Sequence, residues 1–344
     1  MKERIIYLEI IRIIATLGVL CNHIPLAAVH IFDKHATNID RWIVNGNVHV
    51  MHPAVLLFVM VTGALLLQPS RQIDYRKVLT KYVWRMVVIL ALIGTVYAWM
   101  EIYFADKHFA FSQIPLAFLN TLEGHTWKHM WYLYMLIGLY LTTPLLKAGV
   151  NHLSERNLDW LIGIGFFFTS VIPAIQQYTG IGLGIKFPIA SNYVFLMLLG
   201  YRLSCVKWGN VKVLLCFILI FIALYLCFAY FEYVLEHKSL TWLSGYDSPM
   251  MILYSATVFL FIKELPASAL YGRILSNGGG KFSRDSFGIY VFHMLWVNVI
   301  YKVIKFNPIE YGLWTLIPIL IAVTLLAWGT TIIFRKIPYI GKYI

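Results

Sequence analysis

Residues 5–29 read IIYLEIIRIIATLGVLCNHIPLAAV. The run is long enough to cross a bilayer, which takes about 20 predominantly apolar residues, yet it carries Glu9, Arg12 and His23. A cleaved signal peptide needs an uninterrupted apolar core, so the breaks at Arg12 and His23 mark a retained helix. Ionisable groups inside a span are costly unless they are paired or face a wet cavity, which makes them functional candidates. Arg12 and His23 are eleven residues apart. At 100° per residue that is three turns plus about 20°, which puts both on one face about 16 Å apart along the axis. Glu9, one turn before Arg12, is within reach of an ion pair with it. The alternative is that Glu9 and Arg12 snorkel to the cytoplasmic interface while His23 caps the outer end through water.

The rest of the chain repeats this pattern. Further apolar runs fall at 49–68, 83–104, 130–150, 157–175, 190–204, 211–231, 249–264, 285–305 and 312–334, those at 190–204 and 249–264 being short. Apolar residues make up 60% of the 344 and charged ones 13%, against roughly 45–50% and 25% in soluble domains. Together with 16% aromatic residues and a mean hydropathy of +0.73, this excludes a soluble enzyme. The expected fold is an all-α integral membrane protein of about ten transmembrane helices, a single domain over 1–344 with no separate soluble domain.

The net charge of +12 suggests nucleic acid until it is sorted by side. With the N-terminus inside, 19 of the 28 basic residues fall on the cytoplasmic side, eight fall outside, and Arg12 lies within a span. This is the positive-inside pattern. It implies two cytoplasmic termini, a lipid bilayer as partner, and no nucleic acid. Cys21, Cys205, Cys216 and Cys227 have no C-x-x-C spacing and read as small buried hydrophobes. Asn277-Gly278-Gly279-Gly280 follows no strand and reads as a flexible loop. His49 with His52 and His125 with His129 have spacings that would suit zinc if helical, but no H-E-x-x-H completes them. No metal is expected.

Tyr7-Leu8-Glu9-x-x-Arg12, with His23 beyond it, resembles the opening signature of the membrane acyltransferase-3 family, whose usual acid here is Asp rather than Glu9. Val55-Leu56-Leu57-Phe58-Val59-Met60-Val61-Thr62-Gly63 is similar to the family's V-P-L-F-F-M-I-S-G stretch, with Leu56 where proline is common. Similar matches follow at His129-Met130-Trp131-Tyr132, Tyr140, Pro144 and Gly200-Tyr201. The last is Ser286-Phe287-Gly288-Ile289-Tyr290-Val291-Phe292-His293. Within the family, the chain resembles the branch of enterobacterial common antigen O-acetyltransferases.

The resemblance implies ten spans and transfer of an acyl group, most often acetyl from cytoplasmic acetyl-CoA, to a hydroxyl. The acceptor would be a cell-surface glycan or its lipid-linked precursor, and the setting a bacterial inner membrane. It implies a catalytic role for His23, Arg12 and Glu9. Arg12 would attract the anionic donor or its thioester carbonyl, while His23 acts as general base or briefly carries the acyl group. Where the family often has Arg-x-x-Arg, the first arginine is Tyr82. What remains is Lys77, Lys81 and Arg85 at four-residue steps, a basic stripe on one helical face suited to coenzyme A phosphates or to anionic lipid. Trp131, Tyr132 and Tyr290 stack on a sugar, line the donor route, or belong to the interfacial aromatic belt. His293 either lines a cavity with them or packs in the core. A transporter reading of the same intramembrane charges predicts inverted repeats, and no such symmetry is visible. A non-catalytic scaffold leaves Arg12 and His23 unexplained.

Overall fold

A computed structural model describes residues 5–182, 184, 191–235, 241–266 and 278–344. Lys2, Arg4, Lys186, Lys238, Arg273 and Asn277 lie outside them. The described residues contain no strand. The helices are α1 Ile6–Ile31, α2 Asn38–Met51, α3 Pro53–Leu66, α4 Tyr75–Asp106, α5 Ile114–Leu122, α6 Trp131–His152, α7 Glu155–Thr179, α8 Asn192–Cys205, α9 Val211–Tyr233, α10 Pro249–Glu264, α11 Gly280–Asn298 and α12 Leu316–Lys336.

Among the described residues, eight helices are long and apolar enough to cross a membrane, with α2 and α3 counted as one broken helix. The difference from ten falls on the two runs that read as short. With 14 and 16 residues, α8 and α10 rise about 21 and 24 Å, less than the roughly 30 Å of a hydrocarbon core.

Three local expectations change. The second run extends back to Asn38, where Thr37 and Asp40 form a reciprocal capping box. Polar Asn38, Asp40, Asn45 and Asn47 hide that extension from a hydropathy reading. Gly280 begins α11 rather than continuing a loop. Cys21 is half-buried and the other three cysteines are exposed, because they need not be covered by protein where the bilayer supplies the apolar phase. For the same reason Leu215, Phe217, Leu219 and Ile220 of α9 are exposed.

Two compact units form, one of 1–68 with 153–332, the other of 69–152 with 333–344. In the first, α1 packs against α2, α3, α10 and α11. It buries Leu8, Ile11, Ala15, Val19, Leu20 and Ile24, while Ile14 and Leu17 point outward. Helices α3 and α8 cross where both carry glycine. A Cβ on Gly63 would stand 1.9 Å from the Met197 carbonyl oxygen, and one on Gly200 2.2 Å from that of Met60. These are backbone atoms and cannot yield, so only glycine permits the approach. Both glycines belong to the stretches that resemble the family, and here their role is packing.

Between α2 and α3, Pro53 removes an N–H from the helical ladder and kinks the chain at His52. In the second unit, α4 contains two π-helical stretches, Val78–Val83 and Leu90–Gly94, and packs against α5 and α6.

The crossing predicts that Gly200→Ala lowers the stability of the detergent-solubilised protein by about 3 kcal/mol, the upper part of the range for overpacking. Gly163→Ala on α7, where a Cβ would meet nothing within 4 Å, is predicted neutral or slightly stabilising. Thermal unfolding of the two variants side by side checks both.

Candidate active site

The first unit brings His23 of α1 and His293 of α11 together. Nδ1 of His23 lies 2.8 Å from Nε2 of His293, with the rings nearly parallel at 11° and 5.1 Å between centroids. Nδ1 of His293 lies 2.6 Å from the Tyr290 carbonyl oxygen. A carbonyl oxygen can only accept, so His293 Nδ1 carries the proton and donates. In the neutral ring Nε2 is then the lone pair, and His23 Nδ1 donates to it. This leaves Nε2 of neutral His23 as a lone pair with no hydrogen bond to the described residues. His293 is fully buried, whereas His23 is partly accessible. The accessible end of the chain is therefore the basic end. Tyr290 is buried, its ring 5.8 Å from that of His293.

Glu9 and Arg12 lie on α1 towards its start, both half-buried, and the Arg12 carbonyl accepts from Thr16 Oγ1 at 2.7 Å. On α11, two turns before His293, Asp285 is a buried carboxylate that accepts from Trp328 Nε1 at 2.9 Å. It escapes a reading of the sequence because it sits at the polar end of its apolar run.

A second histidine group surrounds the kink. His52 Nδ1 is 2.9 Å from the Ser244 carbonyl oxygen, so it too donates from Nδ1. The His52 ring is 4.8 Å from that of Tyr246 and 6.3 Å from that of buried His49. Burial pushes the Tyr246 phenol above its ordinary range, so it stays protonated. The zinc spacings do not mature into a site. His125 follows the turn at Glu123 and Gly124, exposed beside Glu123, and His129 is buried 5.8 Å from the Tyr97 ring. Among the described residues no three His, Cys, Asp or Glu side chains come close enough to hold a metal ion.

The remaining candidates lie in the second unit. Lys77 and Lys81 are exposed. Arg85 is half-buried and donates from Nε to the Tyr343 carbonyl and from Nη2 to that of Ile344, both at 2.8 Å. The α-helical stripe expected of these three is altered, because Lys81 lies in the π-helical stretch. Trp131 is half-buried and Tyr132 buried, their rings edge to face at 6.0 Å. The neighbouring Tyr97 and Trp127 stack at 4.0 Å, and Trp127 Nε1 donates to Glu101 at 3.0 Å.

A chain of apolar helices enclosing an imidazole pair defines a multi-pass membrane protein with two histidines hydrogen-bonded between its helices. A family model described as an acyltransferase domain matches residues 5–333, and the chain belongs to that family, acyltransferase-3, whose activity is membrane acyl transfer. No curated protein and no solved structure matches the chain.

The Arg85 geometry predicts that Arg85→Ala removes two charge-assisted bonds, a local loss of about 2–3 kcal/mol. The segment after Lys336 should then exchange its amide hydrogens and be cut by protease markedly faster. Unchanged exchange there would show that the two bonds contribute nothing.

Proposed function

We propose that the protein is an O-acyltransferase that moves an acetyl group from cytoplasmic acetyl-CoA to a hydroxyl of a cell-envelope polysaccharide or its lipid-linked precursor. The enterobacterial common antigen is the glycan suggested by the resemblance of the sequence. We read the two units as one domain, set in a bacterial inner membrane with both termini cytoplasmic. The observation that carries this reading is the His23–His293 hydrogen bond, because acyl transfer to a hydroxyl needs a base held in one tautomer with its lone pair accessible.

In the step we propose, His23 Nε2 takes the acceptor's hydroxyl proton as the oxygen attacks the thioester carbonyl. The C–S bond then breaks, and the thiolate leaves with the proton returned from His23. His293 orients the His23 ring and accepts from its Nδ1, so positive charge appearing on His23 is shared along the pair. Arg12 and Glu9 serve the donor end of α1, with Arg12 attracting the anionic donor. Lys77 and Lys81 offer exposed cations to coenzyme A phosphates. Arg85 reaches them only by giving up its backbone bonds. Trp131, Tyr132 and Tyr290 supply aromatic faces for the sugar or the donor route, and no metal takes part.

His23→Asn is the informative substitution, since the Asn amide can still donate to His293 while the ring base is gone. Transfer of labelled acetyl from acetyl-CoA to envelope glycan in membranes should fall by about 10²–10⁴-fold at normal expression. Near-wild-type transfer would refute the base assignment. Uptake of solute into vesicles with no protein-dependent loss of thioester would favour a transporter instead.

A further inference from the structure

His52 repeats the arrangement of His23 at a second position. Each ring is partly accessible. Each is anchored through Nδ1 to a buried acceptor, Nε2 of His293 for one and the carbonyl of Ser244 for the other. Each, when neutral, keeps an Nε2 lone pair that meets no hydrogen-bond partner among the described residues. The helices that carry them meet beside both positions, where Asn47 Nδ2 donates to the Cys21 carbonyl at 2.6 Å and a Cβ on Gly18 would stand 2.9 Å from that of Ala54 and 3.9 Å from the Met51 carbonyl oxygen.

Two more polar atoms near these rings lack partners. Asn22 Oδ1, next to His23 on α1, and His49 Nδ1, one turn before His52, are buried without a hydrogen bond among the described residues. Native proteins rarely leave such atoms unsatisfied, which marks the surroundings of both rings as polar. His23 Nε2 and His52 Nε2 both accept. A set of acceptors suits a ligand rich in neutral donors. It does not suit an anion, which would leave every lone pair facing negative charge.

Building on the acyl-transfer reading, we propose that His52 is a second contact to the acceptor and that the acceptor presents adjacent hydroxyls, a vicinal diol of a sugar ring. One hydroxyl gives its proton to His23 while its neighbour donates a hydrogen bond to His52 Nε2. His52 is thus a positioning residue that selects which hydroxyl is acylated. The bond to the Ser244 carbonyl fixes one edge of the His52 ring, and the Tyr246 ring 4.8 Å away limits how the imidazole can turn.

The test separates the acceptor lone pair of His52 from its structural bond. His52→Asn retains an N–H for the Ser244 carbonyl and lacks an acceptor where Nε2 stood. His52→Gln can place its amide oxygen near that position. The probe is envelope glycan from cells lacking the gene, incubated with labelled acetyl-CoA and purified full-length protein in detergent, with the esters located by mass spectrometry and NMR. The wild type should acetylate one hydroxyl that has a free hydroxyl beside it. His52→Asn should raise KM for the glycan about tenfold with a smaller change in kcat and spread acetyl over neighbouring positions, at an unchanged melting temperature. His52→Gln should recover most of the regioselectivity.

If the ester forms but has no adjacent hydroxyl, or His52→Asn matches the wild type in KM and position, the role of His52 is overturned while acyl transfer stands. If His52→Asn melts much earlier and His52→Gln recovers nothing, His52 is structural and the proposal fails. Absence of any ester with the wild type overturns the acyl-transfer reading itself and this inference with it.

Discussion

The bond between His23 and His293 joins two helices whose positions decide everything near the site. A buried imidazole in an apolar bundle must satisfy both ring nitrogens or bear a cost of about 1–3 kcal/mol for each left open. His293 is fully buried and meets that demand with the Tyr290 carbonyl on one side and His23 on the other. Because a carbonyl never donates, the order of donors and acceptors follows without choice along the neutral chain. It ends at the one nitrogen that is not satisfied internally, on the more accessible ring. Here α1 packs against α2, α3, α10 and α11, so the direction of that lone pair is held by the packing of the whole unit.

Two backbone constraints support this arrangement. The glycine crossing at Gly63 and Gly200 brings α3 and α8 into contact with no side chain between them. Where α2 ends ahead of Pro53, His52 reaches a carbonyl 192 residues further along the chain. Residues that look like a chemical signature in one dimension therefore divide into two kinds in three. His23, Tyr290 and His293 form one contiguous site, whereas Gly63 and Gly200 are small because backbones meet there.

Much of the fold was legible because the bilayer imposes a length and a composition on every spanning helix. The runs at 211–231 and 249–264 correspond closely to Val211–Tyr233 and Pro249–Glu264. The start of α2 was not legible, since its first turns are polar and depend on a cap rather than on hydropathy. Among site residues, Arg12 and His23 stood out as ionisable groups in an apolar run. The pairing of His23 with His293, 270 residues away, was hidden because spacing within a helix says nothing about which other helix faces it. His52 was visible only as half of a zinc-like spacing. Its partner is a backbone carbonyl, which every residue possesses and no sequence pattern marks. The spacing of the basic stripe is altered for a related reason, as the four-residue rule assumes an α-helix and part of that segment is π-helical.

The most direct test of the histidine pair reads the tautomers themselves. With histidine labelled by ¹⁵N in the detergent-solubilised protein near neutral pH, and the signals assigned by His23→Asn and His293→Asn, NMR distinguishes protonated from lone-pair ring nitrogens. The arrangement predicts His293 protonated at Nδ1 and bare at Nε2, and His23 protonated at Nδ1 with an unprotonated Nε2. A proton resident on His23 Nε2 would make that atom a donor in the resting protein and contradict its role as the base.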